Sequence, residues 1–165
     1  MESRLLKRNP QPAKQISRPV TAKENAKPEP VSDTGVGGSS LDTMTAACAT
    51  EMLNAASSFH KLHLKITGPG SYAVHRALND LYEALPGHAD SLIEGYQGAA
   101  EKILKCTESM PRELNDVQDA VYYLRDIYAS ITKLQAKMPY SEIVNSLDTA
   151  KDSINAAKYK LLFLS

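Results

Sequence analysis

Residues 60–94 of this 165-residue chain read HKLHLKITGPGSYAVHRALNDLYEALPGHADSLIE, and this segment is the most informative about the fold. Its apolar residues recur at spacings of three and four on both sides of Gly68-Pro69-Gly70, which predicts two helices joined by a tight hairpin. Pro86 lies inside the second of these segments and lacks the amide hydrogen that a helix interior uses. Because such a proline costs about 3 kcal/mol, we expect it to kink or split the helix.

The same spacing continues on either side of this stretch and predicts four helices in all. Helix starts are predicted from capping residues or a first-turn proline, and helix ends from the next glycine or proline. The predicted helices run from Ser39-Ser40 to Gly68, from Ser71 to about Gly98, from Pro111 to Pro139, and from Ser141 to the apolar C-terminal end. Four such helices predict an all-α fold built as a four-helix bundle.

The connection between the second and third predicted helices leaves the topology open. If the second helix continues to Cys106, the loop is short and the bundle runs up-down-up-down. If that helix ends near Gly98, the residues up to Pro111 are enough to reach back along the bundle, since an extended chain covers about 3.3 Å per residue. The connection would then be a long crossover, as in ferritin-like bundles.

The first 40 residues differ from the rest of the chain in charge and composition. They contain seven Lys or Arg against four acidic residues, a net charge of +3, whereas the remainder has 12 basic and 15 acidic residues. Five of the nine prolines also lie here, with few large apolar residues after Leu6. Such a segment cannot bury enough apolar surface to offset its ordering entropy. We therefore expect a disordered basic tail over residues 1–38 and a globular domain over residues 39–165.

The composition also argues against several protein classes. No window contains the roughly 18 to 20 uninterrupted apolar residues of a membrane span, and residues 1–20 lack the apolar stretch of a signal peptide. Two cysteines cannot form the disulfide framework of a small secreted protein. The expected location is therefore the cytoplasm, with no membrane partner.

Two pairs of side chains in residues 60–94 are candidate metal ligands. His63 and His75 flank the glycine-proline hairpin, which can bring the two imidazoles together. Asp90 and Glu94 are four residues apart and so project from one helical face. Two nitrogen and two carboxylate ligands suit iron, zinc or manganese. The ordinary alternatives are hydrogen-bonded or surface histidines and a solvated pair of carboxylates.

The distance between the two pairs limits how they can act together. His75 and Asp90 are 15 residues apart, which is about 22 Å along a continuous helix, whereas metal–ligand bonds are about 2.0–2.2 Å. One chain therefore cannot supply both pairs to one ion. Either the pairs are unrelated, or the histidines of one subunit face the carboxylates of a two-fold-related subunit, and a dimer then holds two equivalent sites.

Residues 60–94 resemble the signature of the Dps family, the DNA-protecting mini-ferritins of the ferritin-like superfamily. The shared pattern is a His, eleven residues, a second His, and then an Asp and a Glu four apart. The hairpin and the Val-His step match as well, and LNDVQDAVYYLRDIYASI resembles the third helix of that family. The resemblance implies a ferritin-like bundle in which His63, His75, Asp90 and Glu94 bind iron between two-fold-related subunits. It further implies Fe²⁺ oxidation by peroxide or oxygen and storage of the ferric mineral in a homo-oligomeric shell, dodecameric in the family pattern.

This sequence departs from the family pattern at informative positions. The remaining family ligand, an Asp four residues after the second His, is Asn79 here. An amide oxygen brings no charge, so Fe²⁺ affinity should fall, although Glu83 lies near the same helical face and could substitute. The usual Trp beside the first His is Leu64, in a chain with no Trp. We expect a divergent member with weakened or altered oxidation chemistry.

The basic tail has a functional and an ordinary interpretation. Its six basic residues before residue 24 would neutralise phosphates without sequence preference, and many copies on a shell would multiply the effect: Arg4, Lys7, Arg8, Lys14, Arg18 and Lys23. The family resemblance implies DNA binding through such a tail, and hence association with the nucleoid. The ordinary interpretation is a solubilising terminus. The rival function is a non-enzymatic subunit that coats DNA or serves a structural role and has a degenerate metal site.

Overall fold

A computed structural model of the chain describes residues 40–164, and the predicted tail over residues 1–38 lies outside this range. The described part contains four α-helices: α1 (Leu41–His63), α2 (Ser71–Ala100), α3 (Val117–Gln135) and α4 (Ser141–Phe163). The predictions of an all-α fold and of four packed helices are confirmed. None of these helices combines the length and the apolar character needed to cross a bilayer.

Local capping explains where α1 and α3 begin. Ser40 caps α1 as predicted, since its side chain accepts a hydrogen bond from the Thr43 backbone amide at 3.2 Å. The prediction that the third helix begins near Pro111 is wrong. Asp116 caps α3 by accepting from the Asp119 amide at 2.8 Å, and the Asp119 carboxylate in turn accepts from the Asn115 amide at 2.9 Å. This reciprocal capping fixes the helix start six residues later than predicted.

Pro86 does not split α2, which is continuous from Ser71 to Ala100. Of the two effects expected of Pro86, a kink or a split, the split is therefore wrong. The residues on the inner face around the proline are fully buried, among them Leu81, Leu85, Ala89 and Leu92. Packing of that face against neighbouring helices outweighs the local cost of the proline, since each fully buried leucine contributes about 1.5–3 kcal/mol.

The four helices pack as a square around one core. Helix α1 lies beside α2 and α3, and α4 also lies beside α2 and α3. Each helix contributes large side chains that are fully buried in the core, for example Phe59, Leu78, Leu124 and Leu147. Helices α2 and α3, which follow one another in sequence, therefore occupy opposite corners of the square.

The linker between α2 and α3 runs back along α1, which settles the topology that the sequence left open. Near the start of α1, Lys102 forms an ion pair with Asp42 at 2.7 Å. Farther along, Ser109 accepts a hydrogen bond from the Asn54 side chain at 2.6 Å. Because the linker travels the length of α1, α3 begins at the opposite end of the bundle from the end of α2. Helices α2 and α3 therefore point in the same direction, and both are antiparallel to α1.

Arg112 anchors the far end of this linker. Its guanidinium bonds Asp126 on α3 at 2.6 Å and Glu51 on α1 at 3.0 Å. It also lies 4.0 Å from the centre of the Tyr123 ring, a cation–π geometry. One side chain thus joins the linker to both helices beside it.

We predict that Arg112→Ala loosens the linker without unfolding the bundle. The lost interactions are partly exposed, so the free energy of unfolding should fall by only about 1–2 kcal/mol. Chymotrypsin cleavage between α2 and α3 should become faster, and urea denaturation should report the change in stability. The matched control is Lys105→Ala, an exposed residue of the same linker. Equal cleavage rates in the two variants would contradict the anchoring role.

Candidate functional site

The hairpin between α1 and α2 brings His63 and His75 together, as predicted. His63 is the last residue of α1, and His75 lies in the second turn of α2. The turn depends on Gly68 and Gly70, whose φ angles of 93° and 75° are strained for any residue with a side chain. The two Nε2 atoms are 3.0 Å apart, and the ring centres are 3.7 Å apart. The paired imidazoles form the centre of the candidate site.

His63 is buried to an unusual degree for a histidine at a helix end. It retains 7% of its surface exposure, and its Nδ1 atom has no hydrogen-bond partner. Its Nε2 atom meets only the other imidazole. A buried polar group without a hydrogen-bond partner lowers the free energy of unfolding by about 1–3 kcal/mol. A histidine at this position therefore needs an explanation other than folding stability.

The surroundings keep the His63 imidazole neutral. Burial lowers its pKa below the ordinary value of 6.5, and the imidazoles of His75 and His60 lower it further. The Glu83 carboxylate raises the pKa of His63, so it lies close enough to interact electrostatically with this imidazole. A neutral imidazole has a free lone pair and can bind a metal ion, whereas a protonated one cannot.

Tyr82 connects the residues around the histidine pair. Its ring stacks on His60 with centres 4.2 Å apart and meets the ring of His63 edge-on at 5.2 Å. Its hydroxyl donates a hydrogen bond to Asn79 Oδ1 at 2.9 Å. The residue therefore touches both histidines at the end of α1 as well as the amide that stands at the expected fifth ligand position. The sequence pattern does not single out Tyr82, although its seven-residue spacing from His75 places it two turns along the same helix.

The other candidate ligands lie farther along α2 and do not join the histidines within one chain. Asp90 and Glu94 are exposed, and they follow His75 by 15 and 19 residues in a continuous helix. Over residues 40–164, no three His, Cys, Asp or Glu side chains come close enough together to hold an ion. The histidine pair and the carboxylate pair thus lie apart from each other within one chain.

The two cysteines stand apart from this site. Cys48 is buried in the core, where burial raises the pKa of its thiol to about 12. Cys106 is exposed on the linker. The six basic residues predicted to contact DNA lie outside the described range.

Comparison with known proteins assigns the chain to a family but not to an activity. A family model described as a family of unknown function, DUF5856, matches residues 63–161. The matched segment begins at His63 and contains all six candidate metal ligands. No curated protein and no solved structure matches the chain.

We predict that His63 makes the metal-free protein less stable in mild acid. Because its pKa is lower in the folded state, the unfolded chain binds a proton first as the pH falls below about 6.5. The stability contributed by the neutral imidazole is present above that pH and is lost as the pH falls through the folded-state pKa. Urea denaturation with a chelator present, from about pH 7.5 to about pH 5, should show a smaller loss in His63→Gln than in the wild type. Lys61→Gln, at an exposed position of α1, is the control. A wild-type-like loss of stability in His63→Gln would contradict this assignment.

Proposed function

Since the chain belongs to DUF5856, a family of unknown function, we propose a function from the geometry of its site: it is a Dps-like ferritin-fold protein that binds and oxidises Fe²⁺. The ferric product would be stored inside a shell of identical subunits. The observation that carries the proposal is the buried, neutral His63 imidazole, whose Nε2 faces that of His75 at 3.0 Å.

The spacing of the two nitrogens fits a shared metal ion. Two metal–nitrogen bonds of about 2.0–2.1 Å that meet at a right angle place their nitrogens about 2.9 Å apart. The observed 3.0 Å is close to this value. Two imidazoles alone do not complete the coordination of iron, so further ligands must come from elsewhere.

A second subunit is the proposed source of those ligands. Asp90 and Glu94 are exposed and would reach the histidine pair of a two-fold-related chain. Large apolar side chains are also exposed beside the turn between α1 and α2, with Leu64 at 71% and Tyr72 at 78% exposure. Such residues suit burial against a second copy. In this proposal, His63 and His75 of one subunit and Asp90 and Glu94 of the other bind Fe²⁺, with Asn79 or Glu83 as a weak fifth ligand.

The helix arrangement supports the ferritin-like assignment. One long connection joins α2 to α3, and these two helices run in the same direction at opposite corners of the bundle. A single long crossover connection is a feature of ferritin-like folds and is absent from up-down-up-down bundles. The neutral amide of Asn79 predicts weaker Fe²⁺ binding than a carboxylate would give.

We predict that anaerobic Fe²⁺ binding depends on both half-sites. In calorimetric titrations, His63→Ala and Asp90→Asn should each weaken binding by roughly tenfold or more, and addition of peroxide should then give less ultraviolet ferric absorbance. His88→Gln is the matched control, because His88 bonds Ser153 on α4 and is not a proposed ligand. Native mass determination should show at least a dimer. A monomer, or equal Fe²⁺ affinity in all four proteins, would overturn the proposed site.

We also propose that the basic tail over residues 1–38 binds DNA, which the family resemblance supports. Deletion of residues 1–38 should abolish DNA retention, and retention by the full chain should weaken steeply as salt rises. Full-length His63→Ala is the control, because it keeps the tail and should retain DNA normally. Retention by the deleted protein would contradict the proposal. Loss of retention combined with no iron binding in the full chain would favour the non-enzymatic rival.

A further inference from the structure

A groove opens between the C-terminal end of α1 and the last residues of the crossover linker. Its volume is about 530 Å³, which lies within the range of small-molecule binding sites. One wall is formed by residues 61–65 and the other by residues 111–114. None of the six proposed metal ligands lines this groove, so it is a feature separate from the candidate iron site.

Two lysines on the α1 wall carry charges that are not used in ion pairs. Lys61 lies in the last turn of α1, Lys65 follows it by four residues, and both are exposed. Among residues 40–164, all ion pairs are formed by other side chains. Lysines near the C-terminal end of a helix stabilise its dipole, but that role does not require an apolar wall in the same groove. The two ammonium groups are therefore available to bind an anion.

The charged residues of the linker wall limit how much negative charge the groove can accept. The guanidinium of Arg112 is already bonded to Glu51 and Asp126, so this residue holds the wall in place. Glu113 is exposed, lines the groove and takes part in none of the ion pairs of the described residues. Two lysines against one unpaired glutamate leave a net charge of +1, which complements a ligand with a single negative charge.

The remaining lining of the groove is apolar. Leu114 is buried, Pro111 is half-buried, and Leu64 is largely exposed. A hydrocarbon group that covered these side chains would remove apolar surface from water, which favours binding. The groove thus combines a cationic edge with an apolar wall, and this combination suits a ligand that has both a charged and an apolar part.

We propose that this groove binds an amphipathic monocarboxylate, a molecule with one carboxylate and a hydrocarbon body, such as a medium-chain fatty acid. The carboxylate would lie between the ammonium groups of Lys61 and Lys65, and the hydrocarbon body would cover Pro111 and Leu114. Glu113 would disfavour ligands with further negative charges, because like charges repel. The proposal does not depend on iron binding, and neither lysine contributes to the proposed dimer.

Calorimetric titration of the full chain with sodium decanoate, below its micelle concentration, tests the charge complementarity. Lys61→Gln and Lys65→Gln should each weaken binding by roughly fivefold, as expected for a partly exposed ion pair. Glu113→Gln should tighten binding by a similar factor, which a loss of folding could not produce. Lys137→Gln is the matched control, because Lys137 is exposed at the opposite end of the bundle and should not affect the affinity.

Two related ligands test the two parts of the molecule separately. Decanol has the same hydrocarbon chain without the charge, so its affinity should be equal in the wild type, Lys61→Gln and Glu113→Gln. Butyrate keeps the carboxylate but has six fewer methylene groups to bury. It should therefore bind at least tenfold more weakly than decanoate.

Three results would overturn the proposal. One is that decanoate does not bind, or that it binds equally well to the wild type and to both lysine variants. Another is binding of a polyglutamate peptide in place of decanoate, which would assign the groove to an acidic segment of another protein. The third is a failure of decanoate to bind together with dissociation of an oligomer in Lys61→Gln, which would assign the groove to a second copy of the chain. Each of these leaves Fe²⁺ binding at the histidine pair unaffected, so the two proposals fail independently.

Discussion

The close pairing of the His63 and His75 imidazoles is the constraint on which the candidate site depends. Two glycines with positive φ angles allow the chain to reverse direction between α1 and α2 over a short turn. The reversal places one imidazole at the end of a helix against another in the second turn of the next helix. Burial then keeps His63 neutral and leaves its Nδ1 without a partner. One ring nitrogen of His63 is thus hydrogen-bonded to His75, and the other has no partner among the described residues.

The crossover linker determines which surfaces remain free for assembly. Because residues 101–116 travel along α1, they cover the side of that helix that carries Glu51 and Asn54. The side that carries His60 and Leu64 stays open next to the outer face of α2. His75, Asp90 and Glu94 are exposed on α2, and Leu64 and Tyr72 are exposed beside the turn between α1 and α2. In the proposed dimer, a second copy would contact these residues of α2 and of the turn.

Much of this organisation could be predicted from the sequence, and the failures have physical causes. Helical periodicity identified four helices, and the hairpin glycines predicted the meeting of His63 and His75. The start of α3 was placed too early because Pro111 looks like a first-turn residue, whereas the reciprocal bonds of Asp116 and Asp119 fix the start. The continuity of α2 through Pro86 depends on tertiary packing, which local propensity does not contain.

The site residues fall into the same two groups: some can be identified from the local sequence pattern, and others only from tertiary contacts. Sequence position alone selected both pairs, because the histidines flank the hairpin and the carboxylates are four residues apart on one helix. Spacing could not select Tyr82 from eight tyrosines, since its importance arises from contacts with His60 on the adjacent helix. The path of the linker could not be predicted from the sequence either, because the residues of α1 and α3 that hold it lie far apart in the chain.

The charge of each half-site links the proposed iron chemistry to assembly. The two imidazoles and the amide of Asn79 bring no negative charge to Fe²⁺, and the exposed Glu83 is a nearby carboxylate of the same chain. Asp90 and Glu94 of a second subunit would add two negative charges at once. Iron would then bind the dimer far more tightly than the monomer, and by thermodynamic linkage it would stabilise the dimer to the same extent. Asn79 stands where the family pattern has an Asp, so one subunit lacks a negative charge that it could have supplied alone. Iron binding would therefore depend more strongly on the dimer.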